Sequence, residues 1–222
     1  MIGTIINSVT IVVASLFGMF IGSRLNPKLK ESLMRVLGLV VVVIGLKMAL
    51  LTDEVVILVG SILLGTAIGE VIGIESKLES FGRSVERRFE GSKFAEGFVS
   101  TTLLYCVGSM AVVGSIQEGL TGDYSLLLTK SLLDGFASIA LASTLGIGVM
   151  FSSISVLVYQ GSLTLLAGHI SALMTEKIIA EITATGGVLI VAIGLRLMEL
   201  IDLKPGNMLP SLLINPIILF LI

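Results

Sequence analysis

The sequence has few charged residues, one cysteine, one histidine and no tryptophan. Charged residues make up 14% of its 222 positions and hydrophobic residues 55%, whereas a typical soluble protein is roughly 25% charged. A lone cysteine, Cys106, excludes an intrachain disulfide. The mean hydropathy is +1.07 over the whole chain, so folding in water would leave large apolar patches exposed. We therefore predict an integral membrane protein surrounded by the lipid bilayer.

Several chemical signatures are also missing from the sequence. It has no glycine-rich phosphate loop with a lysine, no nucleophile–base–acid arrangement, no His/Cys ligand set for a metal and no basic, aromatic surface for nucleic acid. A membrane-spanning helix takes about 20 residues, so about eight spans leave no room for a separate soluble domain. We predict a protein that is not an enzyme and that uses no metal, no cofactor and no nucleic-acid partner.

The apolar runs predict an all-α, polytopic bundle of about eight transmembrane helices. The predicted spans are residues 2–22, 36–51, 55–73, 97–116, 126–149, 152–173, 183–200 and 207–222. Pro27 is expected to mark the short loop that ends the first span. The boundary between the fifth and sixth spans is open, because a re-entrant hairpin there would change the count.

Residues 74–96 differ from the apolar runs in their charge and periodicity. Apolar side chains recur at helical spacing on one face: Ile74, Leu78, Phe81, Val85 and Phe89. This pattern predicts an amphipathic helix that lies on the membrane surface. The alternative is a solvated helical hairpin packed on the bundle.

The placement of lysine and arginine predicts the orientation. With the N-terminus outside, 11 of these residues fall inside and 3 fall outside, namely Lys47, Lys130 and Lys177. We predict a multi-pass protein of the cell (inner) membrane, with the N-terminus and the C-terminus both outside and residues 74–96 on the cytoplasmic face.

Two segments of the chain align without a gap. Gly38 and Gly45 are followed by Leu-Lys, and Gly187 and Gly194 are followed by Leu-Arg at the same spacing. Because five membrane passages separate the two segments, the copies would be inverted, as in many secondary transporters. The predicted organisation has two inverted three-helix repeats joined by a linker helix and a central helix pair. Its ranges are 1–73 for the first repeat, 74–96 for the linker, 97–149 for the central pair and 150–222 for the second repeat.

Asp134 is the strongest candidate for a functional group inside the membrane, because charged groups in hydrocarbon are costly. Lys130 precedes it by four residues, so the two can pair on one helical face. One interpretation makes Asp134 a ligand for a cation or proton, or a gate. The other makes it a structural partner of Lys130 near the outer interface. Arg196 and Glu199, near the end of the seventh span, are expected to form a local pair.

Glycines in the fourth span allow two interpretations. They can let the helix unwind and present polar groups to a solute, or they can serve close helix packing. The predicted pathway residues on the central helices and on the first and last spans are Asp134, Lys130, Ser138, Cys106, Ser109, Gln117, Asn7 and Asn215.

Residues 98–149, the opening MIGTIIN and the segment YQGSLTLLAG resemble a bacterial and archaeal family of integral membrane proteins of unknown function, which includes the YqgA- and YdfK-like proteins. The resemblance covers essentially the whole chain and implies a polytopic inner-membrane protein. It brings no substrate and no catalytic residue. It also implies a proline where this chain has Ser109.

These features favour a transporter or channel for a small solute or ion, and the single intramembrane acid among hydroxyl groups favours a cation-coupled process. The alternative is a non-transporting membrane scaffold or regulatory subunit that docks partners through Arg83, Arg87 and Arg88. Glycine-rich helices are also compatible with a homodimer.

Overall fold

The computed structural model describes residues 1–86 and 93–221, and it describes all of their side chains except those of residue 30 and residues 81–86. All regular secondary structure in these ranges is helical, which confirms the all-α class. The α-helices are α1 (Ile2–Gly22), α2 (Pro27–Ala49), α3 (Val55–Ile72), α4 (Ile74–Glu86), α5 (Phe94–Cys106), α6 (Ser109–Thr121), α7 (Ser125–Leu145), α8 (Ile147–Ile170), α9 (Glu176–Leu197) and α10 (Ser211–Leu221). A 3-10 helix, Pro205–Met208, precedes α10.

Six of the described helices are long and apolar enough to cross a membrane, and the number rises to seven if α5 and α6 together form one bent span. The apolar segment Pro205–Leu221, which contains α10, is shorter. The structure therefore confirms a polytopic helical protein, and the count of eight spans stays a prediction. Large apolar side chains such as Val56, Val71 and Phe136 are exposed on the outside of these helices, where lipid would surround them.

The helices form two compact units, Met1–Met34 with Gly82–Met174, and Arg35–Phe81 with Thr175–Ile222. In the first unit, α1 runs parallel to α7: Gly3 lies against Tyr124 and Leu127, and Gly22 lies against the backbone of Ser143. α8 runs antiparallel to α1, since the hydroxyl groups of Thr4 and Thr164 are 3.5 Å apart while the Ser8 hydroxyl donates to the carbonyl of Ser153, 2.8 Å away. α5 and α6 pack along α8 in the same direction as α8.

In the second unit, the four aligned glycines pack against one another. A methyl group at Gly38 would lie 2.8 Å from the carbonyl oxygen of Gly194, and one at Gly45 would lie 2.7 Å from that of Gly187. α2 and α9 are therefore antiparallel and almost in backbone contact. Such reciprocal contacts are expected where two equivalent segments meet about a twofold axis. The inverted duplication and its four sequence ranges remain predictions.

The start of α2 differs from the prediction. Pro27 begins this helix instead of marking a loop that ends before the second span. The amide nitrogen of Leu29 donates to Asn26 Oδ1, 2.7 Å away, so Asn26 caps the helix. Proline is favoured in the first turn because its missing N–H would have no helical partner there.

α4 begins at Ile74, where the predicted amphipathic helix begins, and its first turn belongs to the second unit. Glu75 is buried and accepts hydrogen bonds from Arg196 and from the amide of Gly206, the latter at 2.7 Å. The expected local pair of Arg196 with Glu199 is therefore wrong, because Arg196 bonds Glu75. The side chains of Phe81, Val85, Phe89 and the predicted basic residues Arg83, Arg87 and Arg88 lie outside the described part of the chain.

A single residue, Gly146, separates α7 from α8. Its backbone has φ +76° and ψ −145°, a region that is essentially open only to glycine. The turn joins two helices of 21 and 24 residues. Two full-length helices therefore meet at the boundary that the sequence left open.

We predict that Gly146→Ala lowers the free energy of unfolding by about 1–3 kcal/mol, because a Cβ atom is strained at this φ and ψ. The measurement is unfolding of the purified protein in mixed micelles by titration with a denaturing detergent. Gly168→Ala is the matched control, since a methyl group at this helical position meets open space; it should be neutral or slightly stabilising. Equal stability of the two variants would contradict the assignment of this turn.

Candidate functional site

Lys130 and Asp134 form an ion pair on α7 between Nζ and Oδ2. The two side chains are only 6% and 9% exposed. Asp134 lies nine residues after the start of α7 at Ser125 and eleven before its end at Leu145, which places it about halfway along a helix that rises about 1.5 Å per residue. The pair is therefore deep inside the first unit and near the middle of a helix long enough to span the membrane.

Two amide side chains from neighbouring helices join this pair. Asn7 of α1 donates through Nδ2 to Asp134 Oδ2, 3.0 Å away, and the same nitrogen lies 3.4 Å from Gln160 Oε1 of α8. Both amides are fully buried. Their other polar atoms, Asn7 Oδ1 and Gln160 Nε2, have no hydrogen-bond partner in the described structure. A buried polar atom without a partner costs about 1–3 kcal/mol, so these two atoms could gain stabilisation from a bound group.

α5 completes this set of residues. The hydroxyl groups of Tyr105 and Ser138 are 2.8 Å apart, and Lys130 Nζ lies 5.7 Å from the centre of the Tyr105 ring, a cation–π distance. Tyr105 also packs with Cys106, Ile11 and Val156 in a buried core. We call Asn7, Tyr105, Lys130, Asp134, Ser138 and Gln160 the polar cluster.

The helical path is broken immediately after Tyr105 and Cys106. α5 ends at Cys106, α6 begins at Ser109, and the two helices are bent by 59°. Gly108, between them, has an extended backbone with φ −70° and ψ 144°. Irregular backbone at membrane depth is tolerated where protein or water covers it, and Val107 is buried. The structure shows both features that the sequence allowed: the helix is interrupted at Gly108, next to the polar cluster, and Gly114 is closely packed, since a methyl group there would lie 2.9 Å from Leu127 Cδ2.

Three buried carboxylates outside the polar cluster bind the N-terminal ends of helices. Glu118 of α6 accepts from the amide of Gly3, 2.7 Å away, and from Thr4. Glu181 of α9 accepts from the amides of Asp53 and Glu54 before α3. Glu75 accepts from Gly206 in the 3-10 helix. A carboxylate at a helix N-terminus is stabilised by the free N–H groups and the helix dipole, so these groups have a structural explanation.

The structure brings together several of the predicted pathway residues. Asn7, Lys130 and Asp134 are in direct contact, while Ser138 and Cys106 adjoin them through Tyr105. Ser109 is at the helix break. Gln117 lies apart, because its amide donates to Asp123 in the following loop, 2.7 Å away. Hydrogen bonds from Ser125 and Gln117 hold the pKa of Asp123 below its usual value.

Asn215 lies in the second unit, on α10. Its side chain is fully buried, and neither its nitrogen nor its oxygen has a hydrogen-bond partner in the described structure. Ser61 of α3 has an unpartnered buried hydroxyl as well. α3 and α10 run antiparallel, since Gly65 lies against Ser211 and Gly69 against Asn207.

Sequence reasoning missed Gln160 and Tyr105. Gln160 is the one amide side chain in α8, and a buried amide inside a predicted span was a usable signal. Tyr105 gave no comparable signal, because a tyrosine combines a large apolar ring with a polar tip and fits packing and polar roles alike. Among the described residues, no group of three or more His, Cys, Asp or Glu side chains is placed to hold a metal ion.

The long apolar helices, lipid-compatible exterior and buried charged pair define a polytopic helical membrane protein. Residues 2–220 match the family model described as "Protein of unknown function (DUF554)". The chain belongs to this family, as the resemblance predicted. It is 34% identical to the uncharacterized membrane protein YdfK of Bacillus subtilis (strain 168), over 100% of this chain and 97% of YdfK. It is 31% identical to the uncharacterized protein YqgA of Escherichia coli (strain K12), over 96% of this chain and 94% of YqgA. No solved structure matches the chain.

We predict that Ser109→Pro folds normally and is neutral or stabilising by up to about 1 kcal/mol. Ser109 is the first residue of α6, where proline is tolerated, and Gly108 already has the extended conformation that a residue before proline prefers. The measurement is the free energy of unfolding in mixed micelles. Leu104→Pro, inside α5, is the control and should cost about 3 kcal/mol or more. A similar loss for both variants would show that α5 and α6 are one continuous helix.

We predict that Lys130→Met lowers the free energy of unfolding by about 3–5 kcal/mol, because it leaves the buried carboxylate of Asp134 without its counter-charge. The double variant Lys130→Met/Asp134→Leu should recover most of that loss. The double-mutant cycle is measured by the same unfolding titration. Simple additivity of the two single losses would contradict the buried pair.

Proposed function

We propose that this protein is a transporter or channel for a small solute or ion, with its pathway through the first unit at the polar cluster. One observation carries the proposal: a lysine–aspartate pair sits about halfway along α7, next to two buried amide atoms that lack partners. Ionisable residues inside membrane spans are costly and usually face a pathway or another helix. A purely structural pair does not require unpartnered donors and acceptors beside it.

The arrangement of helices around the polar cluster supports this proposal. Four helices contribute side chains to the polar cluster, namely α1, α5, α7 and α8. α1 and α7 run in one direction, and α5 and α8 run in the opposite direction. The break at Val107–Gly108 gives one of these helices a place to bend. Broken helices beside a midplane site are a feature of many secondary transporters. The reciprocal glycine contacts of α2 and α9 support, by the same analogy, an inverted-repeat architecture.

In the proposed mechanism the Lys130–Asp134 ion pair leaves the polar cluster without net charge in the membrane interior. Solute entry would separate the pair, and hinging of α5 against α6 would open the cluster towards one side. We place the protein in the cell (inner) membrane with its N-terminus outside, on the strength of the lysine and arginine distribution.

The rival proposal, a scaffold that docks partners through Arg83, Arg87 and Arg88, concerns side chains outside the described part of the chain. It also gives no role to the polar cluster, which is buried and offers no surface to a partner protein.

We predict that Asp134→Asn reduces transport by at least about ten-fold, a loss of about 1.4 kcal/mol or more. Wild-type proteoliposomes are first screened for uptake of protons, Na⁺, K⁺, phosphate, amino acids and sugars, and the variant is tested on whatever solute is moved. Asp202→Asn is the matched control, because Asp202 is exposed in a loop. Both variants must elute as monodisperse, helical proteins. Unchanged uptake by Asp134→Asn, or no uptake of any solute by wild type, would overturn the proposal.

A further inference from the structure

The chemistry of the polar cluster narrows the class of solute. The cluster contains one buried cation and one buried anion, Lys130 and Asp134, and its other members are neutral amides and hydroxyls. Its net charge is therefore zero. Burying a net charge in a low-dielectric site is costly. A solute without net charge leaves this balance unchanged, whereas a cation or an anion disturbs it.

The atoms around the pair have both donor and acceptor character. Asn7 is bonded to Asp134, and its unpartnered Oδ1 adds an acceptor beside the carboxylate. Gln160 is bonded to Asn7, and its unpartnered Nε2 adds a donor. The Lys130 ammonium has three N–H donors, and Asp134 receives both of its hydrogen bonds on Oδ2, so within the described structure Oδ1 accepts none.

We infer that the solute is a small zwitterion carrying one ammonium and one carboxylate group, which is the chemistry of a free amino acid. This inference rests on the proposed transport function. The solute ammonium pairs with Asp134 and Asn7 Oδ1, and the solute carboxylate pairs with Lys130 and Gln160 Nε2. One internal ion pair is exchanged for two ion pairs with the solute, and both unpartnered amide atoms gain a partner.

Solutes with only one charged pole fit this site less well. A simple amine can bind Asp134, but it leaves Lys130 buried without a counter-charge. A simple carboxylic acid leaves Asp134 in the same position. Breaking a buried pair by removing one partner is strongly unfavourable, and a site built around polar contacts rejects an analogue that leaves them unpaired. The Lys130–Asp134 pair therefore selects solutes that carry both charged groups over solutes that carry only one.

The test compares solutes that share a carbon skeleton and differ in their charged groups, on the wild-type protein. Each neutral amino acid is compared with two analogues: the amine that lacks its carboxylate and the carboxylic acid that lacks its ammonium group. For L-alanine these analogues are ethylamine and propionate. Binding is read from ligand-dependent thermal stabilisation of the full chain in nanodiscs, and transport from uptake into proteoliposomes. At least one amino acid should bind about ten-fold or more tightly than either analogue, since each lost charge-assisted hydrogen bond changes affinity by that factor or more.

The charge variants provide a second and independent readout. Asp134→Asn leaves Lys130 as the only charge of the pair, so its preference should move about ten-fold or more towards the carboxylic acid. Lys130→Gln should move it towards the amine by a similar factor. Asp202→Asn should keep the wild-type preference, because Asp202 is exposed in a loop. The wild-type series stands by itself if a charge variant does not fold.

The outcomes separate this inference from the proposed function. Asp134-dependent uptake of Na⁺, protons or another solute with a net charge, without binding of any amino acid, would overturn the zwitterion assignment and leave the transport proposal standing. Equal binding of an amino acid and its amine or acid analogue would overturn it as well. No uptake of any solute class would overturn both.

Discussion

Placing a lysine and an aspartate in the middle of an apolar helix requires that each neutralise the other. Either charge alone would be costly in hydrocarbon, and the four-residue spacing on α7 brings Lys130 Nζ to Asp134 Oδ2. This pair also determines which face of α7 must be covered by protein. α1 covers it with Asn7, and α5 approaches with Tyr105 above the lysine. The packing of the first unit thus follows from the need to keep one ion pair away from lipid.

Close helix contact makes this coverage complete. Gly18 and Gly22 of α1 lie directly against backbone atoms of Ile139 and Ser143 in α7. Any side chain at these glycines would push α1 away from α7. The second unit uses the same device between α2 and α9, and it anchors the start of α3 with the buried carboxylate of Glu181. In both units small residues bring the helices together, and buried acids bind helix N-termini.

The local parts of this structure could be predicted from the sequence. The first apolar run predicted the bounds of α1, and the four-residue spacing of Lys130 and Asp134 predicted their contact. Contacts between helices could not be predicted in this way, since no pattern in one segment indicates that Gln160 meets Asn7, 153 positions away. Pro27 was assigned to a loop although the first turn of a helix suits it equally well. The glycines of the fourth span fitted both a broken and a packed helix, and only the structure shows that the break is at Gly108 and the close packing at Gly114.

The parallel packing of α1 and α7 also has a topological consequence. With α2 and α3 each crossing the bilayer once, the chain returns after α3 to the side where α1 ended. A hairpin that dipped into the bilayer and came back there would send α7 in the direction opposite to α1. Because the two helices run the same way, the predicted topology requires α5 and α6 together to carry the chain across the bilayer as one bent span. The kink between them would then divide a full crossing, with one helix on each side of the bend.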